Sequence, residues 1–188
     1  MRPQANSEIL DRMPPSAIEA ERALICSALV RPDIIPDVAD AIAAADFHNQ
    51  ANAAIFRHLV GMAADGVTIG LDTLRLSLME AGELEAVGGS AYLAELFQTT
   101  YTPSAYKTHL AAVDKAAKLR AIIGTATGML RAAYGNDDPA ELAGNAAERL
   151  LAVTAASARK KPTAGDVFAQ ALQSIVEPQD DQRFGLAT

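Results

Sequence analysis

Tryptophan is absent, and aromatic residues make up only 5% of the 188-residue chain. A chain so poor in aromatics and so rich in alanine favours closely packed helices over a β-sandwich. Cysteine occurs once, as Cys26, which excludes an intrachain disulfide. Cys26 falls in an apolar helical segment, where a thiol is an inert core group. No apolar run reaches the ~20 residues that a membrane-spanning helix requires. Met1 to Met13 also lacks the apolar centre of a signal peptide. These absences predict a soluble, cytoplasmic protein with no membrane partner. Positive charge is scarce as well: 16 Lys and Arg stand against 23 Asp and Glu, for a formal net charge of -7. That balance excludes a broad phosphate-binding surface.

Catalytic and metal-binding signatures are missing too. A nucleotide-hydrolysing motor needs a Gly-rich loop that ends in Gly-Lys-Ser/Thr, so that backbone amides and the lysine cradle the phosphates. None of the lysines, Lys107, Lys115, Lys118, Lys160 and Lys161, follows a glycine. Leu110 to Asp114 ends an apolar run in an acid, but its surroundings read as helix, and Gly88-Gly89 serves a turn. These residues alone are not expected to hydrolyse ATP. His48, His58 and His109 lack metal-ligand spacing with one another or with Cys26, so no zinc site is expected. Asp65, Asp72, Glu80, Glu83 and Glu85 read as caps and solvated ends, and no nucleophile and base pair is nominated. Lys115, Lys118 and Arg120 read as a solvated helix face. Phe47, Phe56 and Tyr92 sit where a core needs them rather than where bases would stack.

What the chain does have is a succession of marked helix starts and stops. Residues 1–13 are polar and unpatterned and read as a flexible arm. In Pro14 to Val30, Ser16 and Glu19 have capping-box spacing. Ile18, Leu24, Ile25, Ala28 and Leu29 form an apolar stripe with Glu19 and Arg22 off it, which predicts an amphipathic helix. Asp33 is expected to cap a second short helix with Pro36 in its first turn. A third helix is predicted over Asn49 to Ala64, with Ala51, Ile55, Leu59 and Met62 inward, ended by Asp65-Gly66. Asp72 is expected to cap a fourth, which buries Leu74, Leu78 and Met79 and stops at Gly82. Ser90 is expected to cap a fifth through Phe97.

From Ser104 the pattern changes. A proline-free helical segment runs to about Tyr134, on the order of 45 Å. Gly135-Asn136-Asp137-Asp138-Pro139 is a turn, and a second long helix follows to about Ala158. Two such helices make an antiparallel hairpin. Its interior glycines, Gly124, Gly128 and Gly144, each cost ~1 kcal/mol against alanine, so the hairpin is expected to gain its stability from packing, against a copy of itself. Arg159-Lys160-Lys161 opens a basic linker and is a possible phosphate contact. Val167 to Val176 is an apolar helical stretch that requires a docking surface.

The predicted fold is therefore all-α: a small helical globule with a protruding long helical hairpin, then a linker helix. The boundaries are an arm over 1–13, a helical domain over 14–158 (globule 14–103, hairpin 104–158), and a linker over 159–188.

Four phrases in this chain carry a family resemblance. Pro14-Pro15 precedes Glu19-Ala20-Glu21 and an apolar run. Asp46-Phe47-His48 is followed by Ile55-Phe56, with His48 in place of a tyrosine. Leu71-Asp72-Thr73-Leu74 leads through Leu78, Gly82 and Leu84 to Val87-Gly88-Gly89 and Ala91-Tyr92-Leu93. Tyr101-Thr102-Pro103-Ser104 precedes Val113 and Leu119-Arg120. In order and spacing these resemble the N-terminal domain of DnaB-type replicative DNA helicases over roughly residues 14 to 155. Gly185-Leu186-Ala187-Thr188 further resembles the phrase that opens the family's RecA-like motor domain, with Ala187 in place of the usual proline.

The resemblance implies an oligomerisation and partner-docking collar in DNA replication, without the ATPase motor. Hairpins in that family pair into dimers, and three dimers build a collar above the hexameric motor ring that also contacts primase, with a helicase loader in the primosome as a further candidate partner. It carries the hairpin role to Ile122, Ile123, Met129, Leu130, Leu142, Leu150 and Val153, although helical phase alone does not separate the hairpin's own seam from a partner-facing side. Docking of the linker on a neighbouring motor falls to Phe168, Leu172 and Ile175, and indirect or weak DNA contact to Arg159, Lys160 and Lys161. No cofactor is implied within these residues; ATP and Mg belong to a motor domain if the native protein continues. The alternative is a free-standing, motorless adaptor or competitor that binds a helicase, loader or primase.

Overall fold

A computed structural model of the chain describes residues 13–98, 103–135 and 138–158. Among them every regular element is helical. The α-helices are α1 (Ile18–Val30), α2 (Ile35–Ala41), α3 (Gln50–Ala64), α4 (Leu71–Glu80), α5 (Gly89–Gln98), α6 (Tyr106–Ala133) and α7 (Pro139–Ala158), with short 3-10 turns at Pro32–Ile34, Ala44–Asp46 and Pro103–Ala105.

The globule is built around α1. Residues Ala23 to Leu29 are all buried, because α3, α5 and α6 pack about them. This corrects the amphipathic reading. Burial runs right round the helix, Ile18 is 39% exposed, and Glu21 is almost wholly buried. Nor is α1 capped as predicted, since Ala17 takes the N-cap position without a side-chain bond.

Elsewhere local chemistry sets the helix ends. Asn49 Oδ1 accepts from the amides of Ala51 at 2.8 Å and Asn52 at 3.2 Å, which satisfies two of the amides that open α3. Helices α3 and α4 end alike: Gly66 and Gly82 take φ of 67° and 70°. The next amides, of Val67 and Glu83, reach back to the carbonyls of Met62 at 2.9 Å and Leu78 at 2.8 Å. This doubly bonded reversal requires a left-handed residue, which glycine adopts without steric cost. The start of α4 is held by Thr73 rather than by Asp72, with Gly70 at the N-cap position. The Thr73 hydroxyl accepts from Gly70 N at 2.9 Å, while Asp72 stands in the first turn, where a carboxylate favours the helix dipole. Asp33 likewise lies within a 3-10 turn and pairs with Arg31 at 2.6 Å instead of capping α2. Helix α5 begins at Gly89, one residue before its predicted cap, Ser90.

Leu24, Ile25, Ile34, Ile35, Ile55, Phe56, Leu59, Leu74, Leu78, Leu93 and Leu96 are fully enclosed. Phe47 meets Phe56 with ring centroids 5.0 Å apart. Burying each such side chain is worth ~1.5–3 kcal/mol. Met79, predicted inward, is 51% exposed. Helix α6 is anchored by Tyr106, Val113 and Ala116 and then leaves the globule, returning as α7. Asp138 Oδ1 caps α7 by accepting from Ala140 N at 2.9 Å and Glu141 N at 3.0 Å. The predicted linker helix lies outside the described residues.

Candidate association surface of the hairpin

The hairpin is held at a fixed place on the globule by buried polar bonds. Glu21, 1% exposed, accepts from His48 N at 2.6 Å, Asn49 N at 3.2 Å and Asn52 Nδ2 at 3.0 Å. Tyr92 donates its hydroxyl to Asn52 Oδ1 at 2.7 Å, and partial burial pushes its phenol pKa up. One carboxylate thus joins α1 to the start of α3 and fixes the loop between them. That loop and the segment before α1 in turn hold the hairpin: Arg120 donates to Pro15 O at 3.0 Å and to Asp46 O. Arg120 is therefore a clamp, not part of the solvated face predicted for it. Lys118, grouped with it, pairs with Asp114 at 2.5 Å.

Beyond this root the two long helices share a narrow seam. Thr125 and Ala146 are its most buried positions, at 8% and 5% exposure. Met129 lies one turn beyond Thr125, and Leu142 and Val153 lie at i−4 and i+7 from Ala146, which places them on the same helical faces. All three are partly buried. Ile122, Ile123, Leu130 and Leu150 are different, 42%, 45%, 42% and 39% exposed. The predicted interface residues thus fall into two sets, a seam and an open face.

Sequence reasoning omitted two exposed leucines of the hairpin. Leu119 and Leu151 are 40% and 67% exposed. Leu119 lies at i−3 and i−4 from Ile122 and Ile123, so helical spacing was signal enough to include it. With Leu130 these residues make one stripe along α6. The signal for Glu21 was similar: it falls three residues after Ile18 and four before Ile25, on the apolar stripe of α1. Phe168, Leu172 and Ile175, and Arg159, Lys160 and Lys161, lie outside the described residues.

One polar string looks like chemistry. His58 Nδ1 lies 2.8 Å from Ser77 Oγ, and His58 Nε2 lies 3.2 Å from Glu83 Oε2. Arg57 also binds Glu83, at 2.5 Å. The hydrogen bond from His58, and then the charge of Arg57, hold the Glu83 carboxyl below its ordinary pKa. Ser77 lies within α4, where backbone amides are already committed to the helix, so no pair of free amides faces the hydroxyl as an oxyanion site requires. The string ties α3 to α4 and to the turn after it. Among the described residues no three His, Cys, Asp or Glu side chains gather as metal ligands would, and no helix is long and apolar enough to cross a membrane.

Comparison with known proteins agrees with this architecture. The family model of the DnaB-like helicase N-terminal domain matches residues 13–115. The replicative DNA helicase DnaB of Geobacillus stearothermophilus is 28% identical over 141 residues, 75% of this chain and 31% of its own length. DnaB of Rhodothermus marinus is 34% identical over 130 residues, 69% of this chain and 13% of its own. The chain thus spans less than a third of these relatives. The crystal structure of the N-terminal domain of DnaB helicase from Mycobacterium tuberculosis has the same fold, with a TM-score of 0.69 at 24% identity over 74% of this chain and 99% of that one. A structure of a DnaB-like replicative helicase and its interactions with primase aligns at a TM-score of 0.59 and 17% identity, over 92% of this chain and 36% of that one.

Proposed function

Because this chain belongs to the DnaB-like helicase N-terminal domain family, we propose that it is the self-association and partner-docking collar of a replicative helicase, and that the open apolar face of its hairpin is where copies meet. The observation that carries this reading is the row Leu119, Ile122, Ile123 and Leu130, each 40–45% exposed along one side of α6. A soluble chain gains ~25 cal/mol per Å² by covering such surface, and a two-fold pairing of like faces covers both copies at once. Three such dimers would close the hexameric ring of the parent helicase.

Primase is the proposed collar partner, in keeping with the DnaB-like helicase structure that describes interactions with primase, and a loader is a second. Phe168, Leu172 and Ile175 are assigned to docking on a neighbouring motor domain, where ATP and Mg would act, and the protein to the cytoplasm. Light scattering of the full chain across concentration tests the central claim. The wild type is expected to run as a dimer or larger. Leu130→Glu and Leu150→Glu should run as folded monomers with unchanged circular dichroism. A folded Leu130→Glu variant that keeps the wild-type mass would overturn the assignment.

A further inference from the structure

The globule carries a second open apolar surface, away from the hairpin. Helices α3 and α4 leave a groove between them, floored by Met62 and edged by Val67 and Leu76. Val67 and Leu76 are 47% and 45% exposed, and Met79, one turn from Leu76, is 51% exposed. This row extends the groove onto the outer face of α4.

Two further observations say what would fit there. The first is charge. Asp65 and Glu80 line the groove, are exposed, and have no ion-pair partner among the described residues. The one arginine at the groove, Arg57, is already committed to Glu83. The groove therefore presents uncompensated negative charge beside apolar side chains. The second is Gly61. It lies inside α3 and lines the groove, yet a Cβ built on it meets nothing within 4 Å. Nothing in the globule requires a glycine there, and a helix-interior glycine is unfavourable against alanine. A bare backbone at the groove wall does suit the close approach of another helix.

We propose that this groove is the docking site for a basic amphipathic helix of a partner protein. Its apolar side would cover Met62, Val67 and Leu76, its lysines or arginines would meet Asp65 and Glu80, and its backbone would pass close to Gly61. This is the helix-in-groove mode of recognition, in which apolar anchors give affinity and rim charges give selectivity.

The test uses the full chain with methyl-labelled methionines and leucines. Two synthetic helical peptides with the same apolar stripe serve as probes, one with lysines and one with glutamates on its flanks. The lysine peptide is expected to shift the Met62, Met79 and Leu76 methyl signals saturably, and the glutamate peptide to bind at least tenfold more weakly. Gly61→Ala should raise the melting temperature by a few degrees while weakening the lysine peptide several-fold, a pairing of effects that misfolding does not produce. Asp65→Asn with Glu80→Gln should erase the preference between the two peptides. Equal binding of both peptides by the wild type, or shifts confined to the hairpin leucines, would overturn the proposal. So would movement of the groove methyls with protein concentration alone or on Phe168→Asp, which would give the groove to a second copy or to the chain's own end. The hairpin assignment stands or falls separately, on the mass of Leu130→Glu.

Discussion

The globule and the hairpin use the same few amino acids to opposite ends. In the globule most leucines and isoleucines are buried, and the side chains of Glu21 and Asn52 are hydrogen-bonded to one another and to their surroundings. In the hairpin beyond its root, Thr125 and Ala146 are the buried positions among the described residues, and its leucines and isoleucines other than Leu142 stand open. Charge divides the same way. Residues 14–103 hold twelve Asp and Glu against four arginines, while residues 104–158 are nearly balanced. A helix pair with so thin a seam gains little stability from itself, because long helices draw theirs from tertiary packing. The globule is therefore a finished core, whereas the hairpin is half of one.

The hardest blow to the finished half is Glu21→Ala. It leaves three donors, the buried Asn52 Nδ2 and the partly buried His48 N and Asn49 N, without their acceptor. Each orphaned donor costs ~1–3 kcal/mol, so urea unfolding should show a loss of about 3–5 kcal/mol. A loss below about 1 kcal/mol would mean that water replaces the carboxylate. Leu59→Ala, at a site of 0% exposure, should follow with about 2–5 kcal/mol. Neither variant, studied where it remains folded, should change the strength of association. Leu130→Glu inverts the pattern. In dilute solution its stability should lie within about 0.5 kcal/mol of the wild type, but the wild type should gain melting temperature with concentration and the variant should not.

The sequence made the local part of this comparison legible. The predicted start of α3, Asn49, is its N-cap in the structure, its glycine stop is in place, and Gly135 and Pro139 mark the hairpin turn. What it hid was set by neighbours distant along the chain. The amphipathic pattern of α1 is genuine, yet three helices close over it, so the stripe does not say which face is buried. Ser16 and Asp72 have the chemistry of caps, but the chain enters α1 at Ala17, and Thr73 already holds the start of α4. Met79 continues the apolar pattern of α4 past the edge of anything that packs on it. The split between Met129, Leu142 and Val153 on the seam and Ile122, Ile123 and Leu130 on the open face depends on how two helices rotate against each other, which no single-helix period records.

The joint between the two halves offers a smaller effect. The Arg120 guanidinium binds two separate backbone points of the globule entry, Pro15 O and Asp46 O. Arg120→Ala should cost about 1–2 kcal/mol and loosen the angle of the hairpin more than it melts either part. Amide exchange should quicken around Asp46 and the first turn of α1 while Leu24 and Leu59 stay protected. Arg120→Lys supplies one charge but not the fork, and should recover at most one of the two bonds. Full retention of exchange protection in Arg120→Ala would show that packing alone fixes the root.

The smallest effect tests the globule by pH. Arg31 donates to Asp33 at 2.6 Å, and that bond, with the nearby charge, holds the Asp33 carboxyl below its ordinary pKa. A carboxyl held down in the folded state stabilises that state above its unfolded pKa and loses the contribution as pH falls through the folded one. Glu83, held down by His58 and Arg57, acts in the same direction. Both groups lie in the globule, so protonating them in acid should weaken it. Side-chain NMR titration should place Asp33 below the ordinary aspartate value in the wild type and return it there in Arg31→Ala. The stability difference between those two proteins should shrink as pH drops through that window. Both side chains are exposed, so the difference should be slight and should fade further in salt. An Asp33 that titrates identically in both proteins would show that the ion pair is not formed in solution, and would leave Glu83 as the source of the acid response.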